Sequence, residues 1–350
     1  MMGDQKNTIL AIVLSALVFI VWQYFFGLPM QEKQKQVAQQ QQQSQQTQPP
    51  AAPSETRPAA PGQVPGTGTA QPTEVSREEA LAKSPRVRIA TPRVTGSIAL
   101  TGGRIDDVSL PTYRETVDPN SPAIILLSPS GSPHPFYAEF GWVAGAGSNV
   151  KVPGADTVWQ QQGSNELGID RPVTLTWDNG QGLEFRRTIS VDDKYVFSVR
   201  DDVVNKGTAG VTLYPYALIS RHGTPPTLGY YILFEGLIGV LGDKLQEVKY
   251  TDIEKAKLQE FKDVKNGWLG FTDKYWAAVL VPETTDRLDA KMTSGTIGNL
   301  KTYQTDYLLD ARNIAPGATA TATARLFAGA KEVATVTATR RTSGSTASSC

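Results

Sequence analysis

The side chains that could do chemistry in this sequence are few and widely spaced. His134 in SPHPF and His222 in SRHGTPP lie in proline-containing loops, and neither has a second His, Cys or carboxylate at metal-ligand spacing. We expect both to be structural or solvated. Cys350 is the only cysteine and lies in a polar tail with no nearby base. This excludes intramolecular disulfides, a cysteine-based zinc site and an N-terminal lipoprotein cysteine, and it argues against a nucleophile.

Pairs of adjacent aspartates could supply a general acid and a general base. They occur at Asp106-Asp107, Asp192-Asp193 and Asp201-Asp202. Paired acids at strand ends are far more often turn and edge residues, and we favour that interpretation here. The GLIGVLG stretch from Gly236 to Gly242 lacks the context and spacing of a phosphate loop. We therefore predict no catalytic residue, no cofactor, no metal and no enzyme, and we favour binding or scaffolding.

The charge balance of the chain limits its partners. Its 350 residues include 34 Lys plus Arg and 34 Asp plus Glu, so the formal net charge is zero. A protein that binds polyanions through bulk charge would be basic, so we predict no nucleic-acid partner.

An apolar segment near the N-terminus predicts a transmembrane helix at residues 9–28, with a cytoplasmic N-terminus at 1–8. As a helix, Ile9 to Leu28 would span roughly 30 Å, the thickness of a bilayer's hydrocarbon core. A cleaved signal peptide is the alternative, but its apolar stretch is usually shorter and ends at a small-x-small site. The residues that we assign to the anchor are Ile9, Leu10, Ile12, Val13, Leu14, Leu17, Val18, Phe19, Ile20, Val21, Trp22, Tyr24, Phe25 and Phe26.

Residues 29–85 predict a disordered linker. Between Gln31 and Pro50, eleven of twenty residues are Gln, and from there to Pro85 the chain is rich in Pro, Ala, Gly and Thr. Such a sequence cannot bury enough apolar surface to offset the entropy of ordering. A Pro-rich docking motif is the alternative, which we do not favour. The stretch from Thr73 to Lys83 predicts a short helix before the domain.

From Arg86 onward the hydrophobic period is two, which predicts strands. One hairpin turns at Gly102-Gly103, with a bulge at Asp106-Asp107, and another turns at Asp178 to Gly182. Only Asp243 to Lys262 could hold a longer helix, and part of it is equally compatible with a strand. Further alternating runs are Tyr195–Val199, Val211–Tyr216, Tyr275–Val281 and Ala320–Ala328.

These hairpins predict a mainly β fold, one large antiparallel sandwich, because no strand–helix alternation recurs. Five tryptophans are expected to fill the space between the sheets. They are Trp142, Trp159, Trp177, Trp268 and Trp276.

Several segments, taken together and in order, resemble the YidC membrane protein insertases (the YidC/Oxa/Alb family) of Gram-negative bacteria. The resemblance covers Met1 to about Val336, and it is carried by the joint occurrence of the pieces. They are MGDQKNTILAIVLSALVFIVWQYFF, SIALTGGRIDDVSLPTY, VVNKG, YYILFEGLIGV, GWLGFTDKYWAAVLVP and RLFAGAKEV.

The resemblance implies an inner-membrane protein with one anchor helix in this chain and most of its mass in the periplasm. Residues 86–336 would form a periplasmic β-supersandwich of the galactose-mutarotase type. The family inserts, folds and assembles integral inner-membrane proteins, with or without the Sec translocon. The implied partners are the lipid bilayer, nascent membrane proteins and Sec translocon components.

The C-terminal tail, residues 337–350, departs from the family pattern. It reads TATRRTSGSTASSC, where the family continues toward a five-helix insertase core. We expect a chain truncated before that core and inactive alone, and a shifted reading frame is our hypothesis for the tail. Two alternatives stay open for the β domain: a periplasmic carbohydrate-binding or mutarotase-like module, and a docking scaffold for translocon subunits.

Overall fold

The computed structural model describes residues 63–66, 74–226, 233–282 and 287–332. The predicted anchor helix, the tail and most of the linker lie outside these residues. None of the helices in the described ranges is long and apolar enough to cross a membrane. The two helices are α1 (Arg77–Ala82) and α2 (Tyr250–Ala256). The strands are β1 (Arg86–Ala90), β2 (Thr95–Ala99), β3 (Ile105–Arg114), β4 (Ala123–Leu127), β5 (Phe136–Ala144), β6 (Gln160–Gln162), β7 (Glu166–Leu167), β8 (Val173–Asp178), β9 (Leu183–Val191), β10 (Val196–Asn205), β11 (Val211–His222), β12 (Gly236–Leu241), β13 (Lys244–Val248), β14 (Leu258–Lys265), β15 (Gly267–Thr272), β16 (Trp276–Pro282), β17 (Arg287–Ile297), β18 (Leu300–Leu309), β19 (Arg312–Ile314) and β20 (Thr319–Ala330).

These strands form two sheets. The large sheet has the order β14-β17-β18-β11-β5-β3-β2-β1-β7, with β4 beside β3 and β19 beside β11. The small sheet has the order β13-β12-β15-β16-β20-β10-β9-β8-β6. Paired strands are antiparallel, apart from the short parallel pair of β1 and β7. The predicted mainly β fold of large antiparallel sheets is confirmed.

Both predicted hairpins are confirmed. In the β2–β3 pair, Ser97 lies opposite Asp107 and Ile98 opposite Ile105, so Asp106 is the extra residue of a bulge. In the β8–β9 pair, the Asn179 side-chain oxygen accepts hydrogen bonds from the backbone N–H groups of Gln181 and Leu183, which fixes the turn.

Inward-facing apolar side chains of the two sheets form one continuous core. Trp142 and Trp159 are buried in it, and Trp177 and Trp276 pack against it, as predicted. The prediction for Trp268 is wrong. Its neighbour Leu269 faces the core, and alternation along β15 places Trp268 on the opposite, partly exposed side.

Half of the Asp243 to Lys262 segment is strand. It contains β13 and the first part of β14, joined by the seven-residue helix α2. Only the central part of the segment is therefore helical, and the strand alternative holds for KLQEV.

A buried arginine joins the two sheets. Arg187 in β9 is 1% exposed and donates two hydrogen bonds of 2.7 Å to the carboxylate of Asp201 in β10. The same guanidinium donates to the backbone carbonyls of Gly103, in the β2–β3 turn, and Phe140, in β5 of the large sheet, at 3.0 and 2.6 Å. It also lies over the ring of Trp159, with its central carbon 5.0 Å from the ring centroid. Arg187 thus takes the place of an apolar core residue and links the sheets directly.

The interpretation of the paired aspartates as turn and edge residues is wrong for two of the three pairs. Asp201 and its neighbour lie in the middle of β10. Asp106 and Asp107 are buried within β3, where they form salt bridges to Arg86 and Arg77. The interpretation is right for Asp192, whose carboxylate accepts hydrogen bonds from two backbone N–H groups in the β9–β10 turn.

Candidate functional site

One face of the large sheet carries aromatic and ionisable side chains, although it points away from the small sheet. The side chains of β5, β11 and β18 alternate, so every second one leaves the core and emerges on this face. We name the following set the outer patch: Tyr137, Glu139, Val143, Tyr216, Leu218, Ser220, His222, Gln304 and Asp306. All of these residues are buried.

Strand register arranges the outer patch in rows across the sheet. Leu218 lies between Glu139 of β5 and Asp306 of β18. One row further along β11, Ser220 lies between Tyr137 and Gln304. Residues far apart in sequence therefore become neighbours only through pairing of these three strands.

A buried network fixes the β5 side of the patch. The Tyr216 hydroxyl donates to one Glu139 oxygen at 2.7 Å, and Arg104 donates to the other at 2.6 Å. The Arg104 guanidinium lies 4.6 Å from the ring centroid of Tyr137. Gly141 makes room for Tyr216, because a Cβ at that position would come within 2.8 Å of the ring. Burial, and then the Glu139 charge, raises the pKa of Tyr216 well above its ordinary value.

His222 is the last residue of β11 and not a loop residue, which corrects the sequence interpretation. It is 6% exposed, its Nε2 atom lies 3.2 Å from the Ser220 hydroxyl, and its ring lies near that of Tyr137. Burial, and then the positive charge of Arg104, lowers the pKa of His222 to about 4. The imidazole is therefore neutral at physiological pH. His134 is exposed, as expected.

The β18 side of the patch holds a buried acid. The Gln304 amide donates to Asp306 at 2.9 Å, and burial raises the pKa of Asp306 to about 6 although this hydrogen bond and Lys291 oppose the shift. The same Gln304 amide nitrogen donates to the backbone carbonyl of Pro65 at 3.1 Å. A short piece of the predicted linker therefore contacts the patch.

These groups are not placed to exchange protons with a ligand. Both Glu139 oxygens already accept hydrogen bonds from the protein, and His222 contacts a hydroxyl and not a carboxylate. Within the described ranges, no three His, Cys, Asp or Glu side chains are grouped closely enough to hold a metal ion. The outer patch is thus a candidate binding surface.

Comparison with known proteins identifies the family. The model of the YidC periplasmic domain matches residues 86–344, most of this chain. The chain belongs to this family. It is 56% identical over 343 residues to a "Membrane protein insertase YidC" of Bradyrhizobium diazoefficiens, covering 96% of this chain and 55% of the relative. It is 55% identical to the protein of the same name from Nitrobacter hamburgensis, covering 96% of this chain and 54% of the relative. The chain therefore spans about half the length of the curated relatives that it matches.

Two solved structures are also similar to this YidC-family chain. One is a galactose mutarotase related enzyme from Lactobacillus acidophilus, with a TM-score of 0.47 and 10% identity over 70% of this chain and 97% of that one. The other is a galactose mutarotase-like protein from Lactobacillus casei, with a TM-score of 0.46 and 9% identity over 70% of this chain and 100% of that one. Neither likeness bears on activity.

The residues that sequence reasoning placed in a site, the anchor from Ile9 to Phe26, lie outside the described residues. The outer patch was not foreseen. A signal for it does exist, because YAEFGWV alternates polar or small residues with apolar ones along β5, and LYPYALISRH continues the pattern along β11. The partner strand β18, about eighty residues later, could not be assigned from such a pattern.

Proposed function

We propose that this chain is part of a membrane protein insertase, in which residues 86–336 form the periplasmic domain. The observation that supports the proposal most is the 56% identity, over 96% of the chain, to a relative whose name is membrane protein insertase. As part of that proposal, the anchor helix at residues 9–28 crosses the bacterial inner membrane once, residues 1–8 are cytoplasmic and residues 29–85 connect the anchor to the domain.

The work of such a protein is to bind and release clients, and no covalent chemistry is required of the described residues. The proposed partners are the lipid bilayer, nascent membrane proteins and components of the Sec translocon. In the described residues, β13 forms one end of the small sheet and carries Leu245, which is 59% exposed. An exposed edge strand can add a strand from another protein, so β13 is where a docking surface for translocon subunits is best sought.

A chimera tests the proposal. Residues 1–336 of this chain would replace the matching portion of the Bradyrhizobium relative, and the chimera would be expressed in a strain depleted of its own insertase. We expect growth and membrane insertion of a reporter client to be restored. The 350-residue chain alone serves as the comparison, and we propose that it does not restore growth. A chimera that accumulates in the membrane at the level of the relative, yet restores neither growth nor insertion, would contradict the proposal.

Carbohydrate binding is the alternative from a different class. It would need exposed aromatic rings beside a cleft with histidine and acidic groups, whereas Tyr216 and His222 in the outer patch are both buried. We therefore expect flat calorimetric titrations with galactose and glucose. Saturable binding at micromolar concentration would favour the alternative.

A further inference from the structure

Part of the outer patch is an apolar cluster that must be shielded from water. Tyr137, Val143, Tyr216 and Leu218 form a second hydrophobic cluster, separate from the core, and each is at most 6% exposed. The small sheet lies on the other side of these strands and cannot shield them. Burial of such side chains on an outward face requires another part of the chain to lie over them.

The segment Gln63–Gly66 supplies part of this cover. Val64 packs against the hydrophobic cluster, and the Pro65 carbonyl accepts the 3.1 Å hydrogen bond from Gln304. Gln304 is itself held by Asp306. The contact therefore combines an apolar anchor with one oriented polar group, although the segment is 239 residues away from Gln304 in sequence.

The chemistry of this contact specifies a type of ligand. A residue before proline is restricted to extended backbone, which presents Val64 without a further loss of conformational freedom. Proline has no backbone N–H, so the carbonyl is the only backbone polar group of Pro65 that needs a partner on the patch. Proline-containing segments that bind aromatic-lined surfaces use the same two features.

We propose that the outer patch is a binding site for extended peptides with an apolar residue followed by proline, and that Gln63–Gly66 is its resident ligand. Seven residues, 67–73, separate the segment from Glu74, the next residue that the structure describes. Covalent attachment at such a short sequence separation gives a local concentration on the order of millimolar. A free peptide of the same chemistry binds only after it displaces the resident segment.

The test uses the full 350-residue chain in detergent and a fluorescein-labelled peptide, PAAPGQVPGTGTA, which corresponds to residues 58–70. Fluorescence anisotropy would measure binding. Val64→Asp removes the resident ligand and leaves the patch intact, so we expect it to bind the peptide at least tenfold more tightly than the wild type. Val117→Asp is the matched control, because Val117 is fully exposed and lies outside the patch. It should bind as weakly as the wild type.

Two further measurements assign the binding to the patch. Gln304→Ala added to Val64→Asp should weaken peptide binding at least fivefold, and a labelled peptide with Asp in place of the Val64 residue should not bind. Thermal unfolding of each variant would establish that the domain is folded. The proposal is overturned if a folded Val64→Asp chain binds the peptide no more tightly than the wild type. It is also overturned if the Gln304→Ala change has no effect on binding.

Discussion

Replacement of Arg187 by methionine should destabilise the domain severely. Methionine fills much of the same volume but leaves the Asp201 carboxylate buried without a counter-charge. It also removes the donors to the Gly103 and Phe140 carbonyls. Breaking a buried pair by removing one partner costs about 3–5 kcal/mol, so we expect a loss of unfolding free energy of that size.

A double variant separates the charge from the packing. With Asp201→Leu added to Arg187→Met, no charge is left in the core, and most of the loss should be recovered. The residual cost, about 1–3 kcal/mol, comes from the carbonyls that lose their donors. Arg200→Met is the matched control in the adjacent strand, because Arg200 pairs with Asp202 at the surface. It should cost less than about 1 kcal/mol.

Urea unfolding followed by tryptophan fluorescence and circular dichroism would measure these differences. An Arg187→Met variant that costs no more than Arg200→Met would contradict this expectation. A double variant no more stable than Arg187→Met would also contradict it, because the buried charge would then not be the cause of the loss.

Three further predictions concern the turn and the outer patch. Gly103→Ala should lower the unfolding free energy by about 2–4 kcal/mol, because Gly103 has φ +62° and a Cβ would lie 2.9 Å from Trp159 Nε1. Gly180→Ala is the control: it has φ +69° but open space around it, and should cost only about 1 kcal/mol. Thermal unfolding of the two variants compares them. Burial raises the pKa of Asp306 to about 6, so this residue makes stability fall as pH rises from about 4 to 6. We expect Asp306→Asn to raise the unfolding free energy at pH 7.5 by up to about 3 kcal/mol, measured by urea titration. An unchanged stability would contradict this. Burial lowers the pKa of His222 to about 4, so the contribution of the neutral imidazole to stability is present above pH 6.5 and is lost as pH falls toward 4. We expect His222→Gln to remove that loss. An unaltered slope of unfolding free energy against pH between pH 4 and 6.5 would contradict the prediction.

Local features of the fold were predictable from the sequence. The β2–β3 and β8–β9 hairpins follow from alternation and from Gly- and Asn-containing turns, and the change of parity at Asp106 revealed the bulge. The α1 helix lies within the predicted Thr73 to Lys83 stretch, and Ser76 and Glu79 form its capping box.

What could not be predicted depends on contacts between distant segments. Arg187 occupies an inward position of β9, and its parity is visible in the sequence. The carbonyls that make its burial tolerable, however, come from a strand about fifty residues away and a turn about eighty residues away. The outer patch likewise requires the pairing of β5 with β11 and of β11 with β18. The alternation along one strand shows which of its side chains share a face, but it does not show which other strands pair with it.

Cysteine labelling tests most directly whether an inner-membrane anchor holds this β domain in the periplasm. In a Cys350→Ser background, Val117→Cys places one thiol on a fully exposed side chain of the domain, and Asp4→Cys places one in the predicted cytoplasmic N-terminus. Spheroplasts would be treated with a membrane-impermeant maleimide before and after lysis, and the membrane fraction analysed. We expect Val117→Cys to be labelled in intact spheroplasts and Asp4→Cys only after lysis. Labelling of Val117→Cys only after lysis, or recovery of the protein in the soluble fraction, would contradict the claim.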